Sequence, residues 1–198
     1  MTIAGVILAG GQGQRLGGVR KAHLKLGGVM LIDRVIRALA LPPGAIIVSI
    51  GHLNPNAFAG GPVPVPDLTA DIGGPLAGLA AAVDYLLMQR EQPEFIIGSA
   101  VDVPFLPSDF LARLQTRLGD GAAAYAQVGD TFYPTNALWR FSAITDLPQL
   151  VRSGTAPKSL KHLLQSLDAI AVDWPDTPNP FANINTMADL IALSRRLE

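Results

Sequence analysis

The chain has 198 residues, of which 49% are hydrophobic and 16% are charged, with no cysteine and a formal net charge of -1. This composition indicates a folded chain with a large core, and it excludes intrinsic disorder, a disulfide framework, a thiolate metal site and a cysteine nucleophile. Residues 1–40 carry six basic residues against one acidic residue, an excess that suits a small anionic ligand better than a long nucleic acid.

No stretch of the sequence approaches the roughly 20 uninterrupted apolar residues that span a bilayer. The first residues enter a strand pattern directly, without the basic segment that opens a signal peptide. We therefore expect a cytoplasmic protein that binds neither membranes nor nucleic acid. We also expect residues 1–198 to form a single domain.

Short runs rich in Ile and Val alternate with longer segments of helical period. This alternation predicts an α/β fold, a three-layer α/β/α sandwich with a mostly parallel, Rossmann-like central sheet. The predicted strands are 3–8, 45–50, 95–99, 122–126, 132–139 and 169–172. The predicted helices are 30–40, 75–90, 108–118, 157–167 and 187–197, with Ser108 as an N-cap and with Thr186 and Asp189 as a capping box.

A glycine-rich segment follows the first predicted strand. Residues 8–18 read Leu-Ala-Gly-Gly-Gln-Gly-Gln-Arg-Leu-Gly-Gly, and Arg20 and Lys21 come next. Glycines let backbone amides approach a ligand and form an anion-binding nest, and ligands of open α/β sheets bind beyond the carboxyl ends of strands. The spacing matches neither the dinucleotide fingerprint nor the P-loop. Arg15 and Lys21 favour a phosphate ligand over a plain surface loop.

Three other segments place polar residues where strands end or helices begin. Asp102 follows an apolar strand, so its carboxylate is a candidate Mg²⁺ ligand or a cap of the next turn. Asp67 stands before a loop and is, on its own, most simply a turn residue. Asn183 and Asn185 precede a predicted helix, where they either satisfy free backbone amides or contact a ligand.

Four motifs in this order resemble those of the molybdenum cofactor guanylyltransferases, a family of nucleotidyltransferases with a glycosyltransferase-A-like, nucleotide-diphospho-sugar transferase type of fold. They are Leu-Ala-Gly-Gly at 8–11 with the basic residues that follow it, Gly-Pro-Leu-Ala-Gly at 74–78, Val-Asp-Val-Pro at 101–104 and Asn-Ile-Asn-Thr at 183–186. The cytidylyltransferase relative carries Ala at the position of Gly10, so the resemblance favours guanine.

The resemblance implies transfer of GMP from GTP to the terminal phosphate of molybdopterin, giving molybdopterin guanine dinucleotide and pyrophosphate. It implies Mg²⁺ as cofactor, held by Asp102, and molybdenum-insertion proteins or molybdoenzyme chaperones as candidate protein partners. The implied catalytic residues are Arg15, Lys21 and Asp102. The implied nucleotide-binding residues are Leu8, Ala9, Gly10, Gly11, Lys21, Asp67 and Asp102, and the implied residues for the second substrate are Asn183 and Asn185.

Two alternatives stay open at this point. One is another enzyme of the same kind, a cytidylyltransferase or a sugar-phosphate nucleotidyltransferase. The other is a noncatalytic nucleotide- or cofactor-binding module. The second alternative draws on departures from the family pattern at Arg20, at Tyr133 and in residues 49–52.

Overall fold

A computed structural model describes residues 2–10, 20–51, 61–68 and 73–197. The strands in these ranges are β1 (Ile3–Leu8), β2 (Lys25–Leu26), β3 (Val29–Met30), β4 (Ile46–Ser49), β5 (Val63–Val65), β6 (Phe95–Ala100), β7 (Ala123–Val128), β8 (Thr131–Arg140) and β9 (Ile170–Asp173). The helices are α1 (Leu31–Leu39), α2 (Pro75–Leu87), α3 (Phe110–Leu118), α4 (Leu147–Arg152), α5 (Leu160–Ser166) and α6 (Met187–Ser194).

The central sheet has seven strands in the order β5-β4-β1-β6-β8-β7-β9. Strand β8 runs antiparallel to both of its neighbours, and the other pairings are parallel. The mostly parallel sheet expected from the sequence is therefore confirmed. Because Leu8 lies opposite both Ser49 and Ala100, the carboxyl ends of β1, β4 and β6 meet at one edge of the sheet.

Helices cover both faces of this sheet, as expected for three layers. The core on one face includes residues of α1 and α3, and the core on the other includes residues of α2, α4 and α5. Within β1, Ile7 belongs to the first core and Val6 to the second, because successive side chains of a strand point to opposite faces. Strands buried on both faces explain why the sequence shows continuous apolar runs.

The boundaries of the predicted elements shift by a few residues, and one predicted helix start is wrong. Helix α3 begins at Phe110 with Asp109 at the N-cap position, so Ser108 is not the N-cap. The amide of Phe110 donates to the Pro107 carbonyl (3.1 Å), and this bond closes a turn before the helix begins. The capping box of Thr186 and Asp189 at the start of α6 is confirmed.

The sequence analysis missed β5, α4 and the small β2–β3 hairpin. Each strand of that hairpin has two residues, too few to show a period-2 pattern. The hairpin turns at Gly27 and Gly28, which both have positive φ, and a Gly-Gly pair is a signal for such a turn.

Strand β8 contains a bulge next to the edge where the parallel strands end. Tyr125 of β7 pairs with Ala137, whereas the next residue of β7 pairs with Tyr133, so residues 134–136 leave the ladder. Pro134 falls in this bulge, as expected because proline lacks the N–H that an interior strand must donate.

Within the described ranges, no helix is both long enough and apolar enough to cross a membrane.

Candidate active site

A cleft of about 330 Å³ lies at the carboxyl edge of β1, β4 and β6. We call it the main cleft. Its lining includes six residues that the sequence analysis singled out: Leu8, Gly10, Lys21, Asp67, Asp102 and Asn183. Gly11 and Arg15, which the sequence analysis also singled out, lie outside the described residues. The remaining lining residues are Ser49, Gly74, Pro75, Ala100, Val101 and Thr135.

Three distant segments of the chain meet at the charged end of the main cleft. The Lys21 ammonium donates to Oδ2 of Asp102 (2.7 Å) and to Oδ1 of Asn185 (2.6 Å). The Lys21 and Asp102 side chains are only 15% and 14% exposed, so solvent screens their ion pair less than an exposed one. An ammonium has three donors, and these two bonds use two of them.

The backbone fixes Asp102 from both sides. The amide of Val103 donates to the Ala100 carbonyl (3.4 Å), which puts Asp102 at the third position of a tight turn after β6. The Asp102 carbonyl accepts from the amide of Ile184 (3.0 Å), which ties this turn to the segment that carries Asn183 and Asn185. Asp102 therefore lies in the turn after β6 and also lines the main cleft.

The second carboxylate oxygen of Asp102, Oδ1, is buried and has no hydrogen-bond partner among the described residues. A buried acceptor without a partner is costly, and a divalent cation would satisfy it. The described ranges contain no cluster of three or more His, Cys, Asp and Glu side chains that could hold a metal. The partnerless Oδ1 of Asp102 fits a divalent cation that takes one or two carboxylates from the protein and completes its shell with phosphates and water.

At the other end of the main cleft, Ser49 holds Asp67. The Ser49 hydroxyl donates to Oδ1 of Asp67 (3.1 Å), and Ser49 is 2% exposed. The Asp67 amide donates to the Gly51 carbonyl (2.9 Å), so both the backbone and the side chain of Asp67 are tied to the segment that ends β4.

Close backbone packing forms the floor at this end. A Cβ on Gly10 would lie 2.9 Å from both the Cα and the nitrogen of Gly51, and a Cβ on Gly78 would overlap the Ser49 hydroxyl. Position 10 therefore requires glycine because the clash is with backbone, whereas a Cβ at position 78 would displace the Ser49 side chain. Ala9 is buried, and its amide donates to the Ser49 carbonyl (2.8 Å).

Asn185 contacts Lys21 of the main cleft and also lies just before the start of α6. Its side chain accepts from Lys21, while its amide donates to Oδ2 of Asp189 (2.9 Å). The pKa of the Asp189 carboxyl is lowered from its ordinary value, chiefly by the bond from the Asn185 amide and then by bonds with the Thr186 side chain and amide. The capping box thus holds the segment that presents Asn185.

A second cleft of about 150 Å³, the side cleft, shares Pro75 and Thr135 with the main cleft. Its lining adds two exposed lysines, Lys158 and Lys161. Lys161 also lies over the ring of Phe132, with its ammonium 5.4 Å from the ring centroid. The two clefts meet at the bulge of β8, so a molecule that fills both would pass Thr135.

Sequence reasoning did not assign Ser49, Thr135, Lys158 or Lys161 to a site. Ser49 carried a usable signal, since it ends a strand at the edge where ligands bind. The two lysines carried none, because charged residues at the start of a surface helix are common. Their relevance comes only from the position of α5 beside β8.

A family model described as the MobA-like NTP transferase domain matches residues 5–170 of the chain. A protein of Rhodobacter capsulatus named molybdenum cofactor guanylyltransferase is 38% identical to the chain over 198 residues, which is 100% of this chain and 97% of that protein.

Solved structures with low sequence identity share the fold. A crystal structure of molybdopterin-guanine dinucleotide biosynthesis protein A from Archaeoglobus fulgidus superposes with a TM-score of 0.72 at 21% identity, over 98% of both chains. A Mycobacterium tuberculosis protein, crystallised in complex with manganese, superposes with a TM-score of 0.67 at 16% identity, over 98% of this chain and 99% of that one.

Proposed function

The chain belongs to the family of MobA-like NTP transferases, and from this premise we propose that it is a molybdenum cofactor guanylyltransferase, which transfers GMP from GTP to the terminal phosphate of molybdopterin. The observation that carries the proposal is the charged end of the main cleft, where Lys21, Asp102 and Asn185 meet beside a buried carboxylate oxygen that has no partner in the described part of the chain. A cytoplasmic location is part of the proposal, because GTP is available there.

The acceptor requires no general base. A phosphate monoester is already anionic at neutral pH, so an oxygen of the acceptor phosphate can attack the α-phosphorus directly. The new bond joins that oxygen to the α-phosphorus, the bond to the β-phosphate breaks, and pyrophosphate leaves with the electron pair. What the protein must supply is alignment of two anions that repel each other and stabilisation of the charge on the transferring group.

Lys21 supplies a positive charge for this step, and its third donor can reach a phosphate while Asp102 and Asn185 hold the ammonium in place. The family resemblance adds Arg15 and the amides of Gly10 and Gly11 on the phosphate side. Helix α2 also begins at the main cleft, and its amino end favours negative charge.

We propose that Asp102 holds a divalent cation, specifically Mg²⁺. When bound there, such a cation would neutralise charge on the triphosphate and on the departing pyrophosphate. The manganese complex of the structurally similar Mycobacterium tuberculosis protein supports a divalent cation in this fold. Asn183 lines the same cleft and is exposed, so it is available to the second substrate together with Asn185.

We assign the guanosine to the end of the main cleft formed by Ser49 and Asp67, and the acceptor to the side cleft. A base or ribose donor can reach the Asp67 carboxylate, which the Ser49 hydroxyl orients. The acceptor carries negative charge, and Lys158 and Lys161 supply positive charge where the two clefts meet. Molybdenum-insertion proteins or molybdoenzyme chaperones fit this function as protein partners.

The proposed function is tested by identifying the product. The protein is incubated with molybdopterin, Mg²⁺ and either GTP or CTP, and the pterin product is weighed by mass spectrometry, with the Asp102→Asn protein as control. We expect a guanine dinucleotide and pyrophosphate from the unaltered protein only. A cytosine dinucleotide would contradict the guanine assignment, and GTP binding without any product would indicate a sugar-phosphate acceptor or a noncatalytic module.

The assignment of Asp67 has its own test. If the Asp67 carboxylate accepts from the guanine base, Asp67→Ala should weaken binding of GTP about tenfold more than binding of CTP. The reason is that the substitution removes the acceptor for the guanine N–H donors. Isothermal titration with each nucleotide measures the difference. An equal loss for both nucleotides would assign Asp67 to the ribose or to a structural role.

A further inference from the structure

Two polar side chains are buried behind the main cleft without contributing to its lining. Ser99 lies next to the last residue of β6, and Asn136 lies at the end of the β8 bulge. Each has a relative exposure of 0%. Of the buried polar residues in the described part of the chain, Ser49 is accounted for by its bond to Asp67, whereas these two have no role in the function proposed above.

Hydrogen bonds connect these two side chains to the turn that carries Asp102. The Ser99 hydroxyl lies 3.0 Å from Oδ1 of Asn136 and 3.2 Å from the Ala100 carbonyl, so both acceptors share its one proton. The same Ala100 carbonyl accepts from the amide of Val103 and so closes the Asp102 turn. A continuous path therefore runs from the β8 bulge to the carboxylate at the charged end of the main cleft.

The bulge lies beside that turn, because β8 is the neighbour of β6 in the sheet and Gly98 of β6 pairs with Ala137 of β8. Thr135, the residue before Asn136, lines the main cleft and the side cleft. The Ser99–Asn136 pair thus fixes the spacing between Asp102 and the wall where the two clefts meet. That spacing decides whether the acceptor phosphate and the phosphates of the nucleotide can line up.

A contribution to the stability of the fold does not explain why Ser99 and Asn136 are buried here. The Nδ2 of Asn136 is buried and has no hydrogen-bond partner among the described residues, and a buried donor without an acceptor destabilises a fold. The surroundings are apolar, because the neighbouring residues Ala137 and Leu138 of β8 belong to the two main cores. A leucine keeps the branching of asparagine at Cγ and removes the buried donor, but it is larger, so Ser99→Ala is the variant that adds no volume.

We propose that Ser99 and Asn136 are positioning residues, which together hold the Asp102 turn at the distance from the β8 bulge that transfer requires. This inference rests on the proposed function, in which Asp102 holds a divalent cation. Neither side chain touches substrate, so each acts through the Ala100 carbonyl and the turn.

The test compares Ser99→Ala, Asn136→Leu and the double variant with the unaltered protein. Three quantities are measured: the thermal midpoint, kcat, and the dissociation constant of Mn²⁺ in the presence of GTP, followed by electron paramagnetic resonance. Ser166→Ala is the matched control, because its hydroxyl also donates to a backbone carbonyl, that of Leu163 (2.8 Å), but lies on α5 away from Asp102.

We expect the double variant to stay folded while kcat falls about tenfold or more and Mn²⁺ binds about tenfold more weakly, as for residues that orient a metal ligand. We expect each single variant to show most of the loss, since the two side chains act as a unit. Ser166→Ala should match the unaltered protein in kcat and in Mn²⁺ affinity.

A lower thermal midpoint with unchanged kcat and Mn²⁺ affinity would overturn the inference and leave a purely structural pair. If Asn136→Leu does not fold, Ser99→Ala decides the question by itself, because it removes a single oxygen atom. Failure of the proposed function is distinguishable, because the unaltered protein would then form no dinucleotide. If the unaltered protein and all variants form it equally, only the positioning role fails.

Discussion

The two ends of the main cleft are built in different ways. The charged end joins Lys21 to Asp102 and to Asn185, which lie 81 and 164 residues after Lys21 in the sequence. The opposite end depends on glycines, because Gly10 packs against the Gly51 backbone where no Cβ fits, and Gly78 packs against the Ser49 side chain. The charged end therefore depends on particular charged and polar side chains, whereas the opposite end depends on positions that carry no side chain.

This difference predicts different consequences for substitutions at the two ends. Removing a charge at the first end should chiefly lower turnover, because Lys21 and Asp102 line the main cleft. Adding an atom at the second end should disturb the backbone and with it the stability of the fold.

The largest effect should come from Asp102→Asn, which keeps the shape of the side chain and removes its charge. We expect turnover to fall by at least about a hundredfold, because a neutral amide holds a divalent cation poorly and leaves Lys21 without its counter-charge. Steady-state rates at several Mg²⁺ concentrations measure this.

Asp84→Asn is the matched control for that substitution, since Asp84 forms a 2.6 Å ion pair with Arg152 and its side chain is 17% exposed. It should retain full activity. If Asp102→Asn retained its Mg²⁺-dependent rate as Asp84→Asn does, the charged end would not be the catalytic end.

The next largest effect should come from Lys21→Met. This substitution removes the ammonium and keeps most of the apolar part of the side chain. We expect kcat/KM to fall about ten- to a hundredfold, with loss in both turnover and GTP affinity, because the ammonium contacts phosphate in the bound and the reacting states. Kinetics over a range of GTP concentrations separate the two contributions. Wild-type values for both would refute the role of Lys21.

Gly10→Ala tests the backbone packing at the opposite end of the main cleft. The added methyl group would meet the Gly51 backbone at 2.9 Å, so we expect the free energy of unfolding to drop by about 1–3 kcal/mol, with weaker nucleotide binding as a result. Urea denaturation measures the change. Gly44→Ala is the control, because nothing lies within 4 Å of its added Cβ, and equal stability of the two variants would contradict the packing argument.

The smallest effect concerns the capping box that presents Asn185. Because the pKa of Asp189 is lowered in the folded state, its contribution to stability is present above the ordinary value of 3.8 and is lost as the pH falls through the lowered folded value. Asp189→Asn should therefore be less stable than the unaltered protein at neutral pH, and the difference should shrink in acid.

Thermal midpoints at a series of pH values give this difference, with the exposed Asp130→Asn as control. A gap between Asp189→Asn and the unaltered protein that did not narrow in acid would show that the carboxylate does not stabilise the start of α6 through its charge.

Local patterns in the sequence predicted the strands of the central sheet other than β5, the described helices other than α4, and many of the lining residues. The apolar runs predicted strands because a parallel strand is buried on both faces, and Thr186 with Asp189 predicted a helix start because the capping box involves residues three apart. Asp102, Lys21 and Gly10 were found because residues that follow the carboxyl ends of strands meet at one edge.

Only the tertiary structure decided which of these residues touch. The bond between Lys21 and Asn185, the bond between Ser49 and Asp67, and the buried Ser99–Asn136 pair each join segments that the sheet order brings together. The side cleft likewise exists because α5 packs beside the bulge of β8. Such contacts depend on strand order and on a register shift, and neither leaves a periodic signal along the chain.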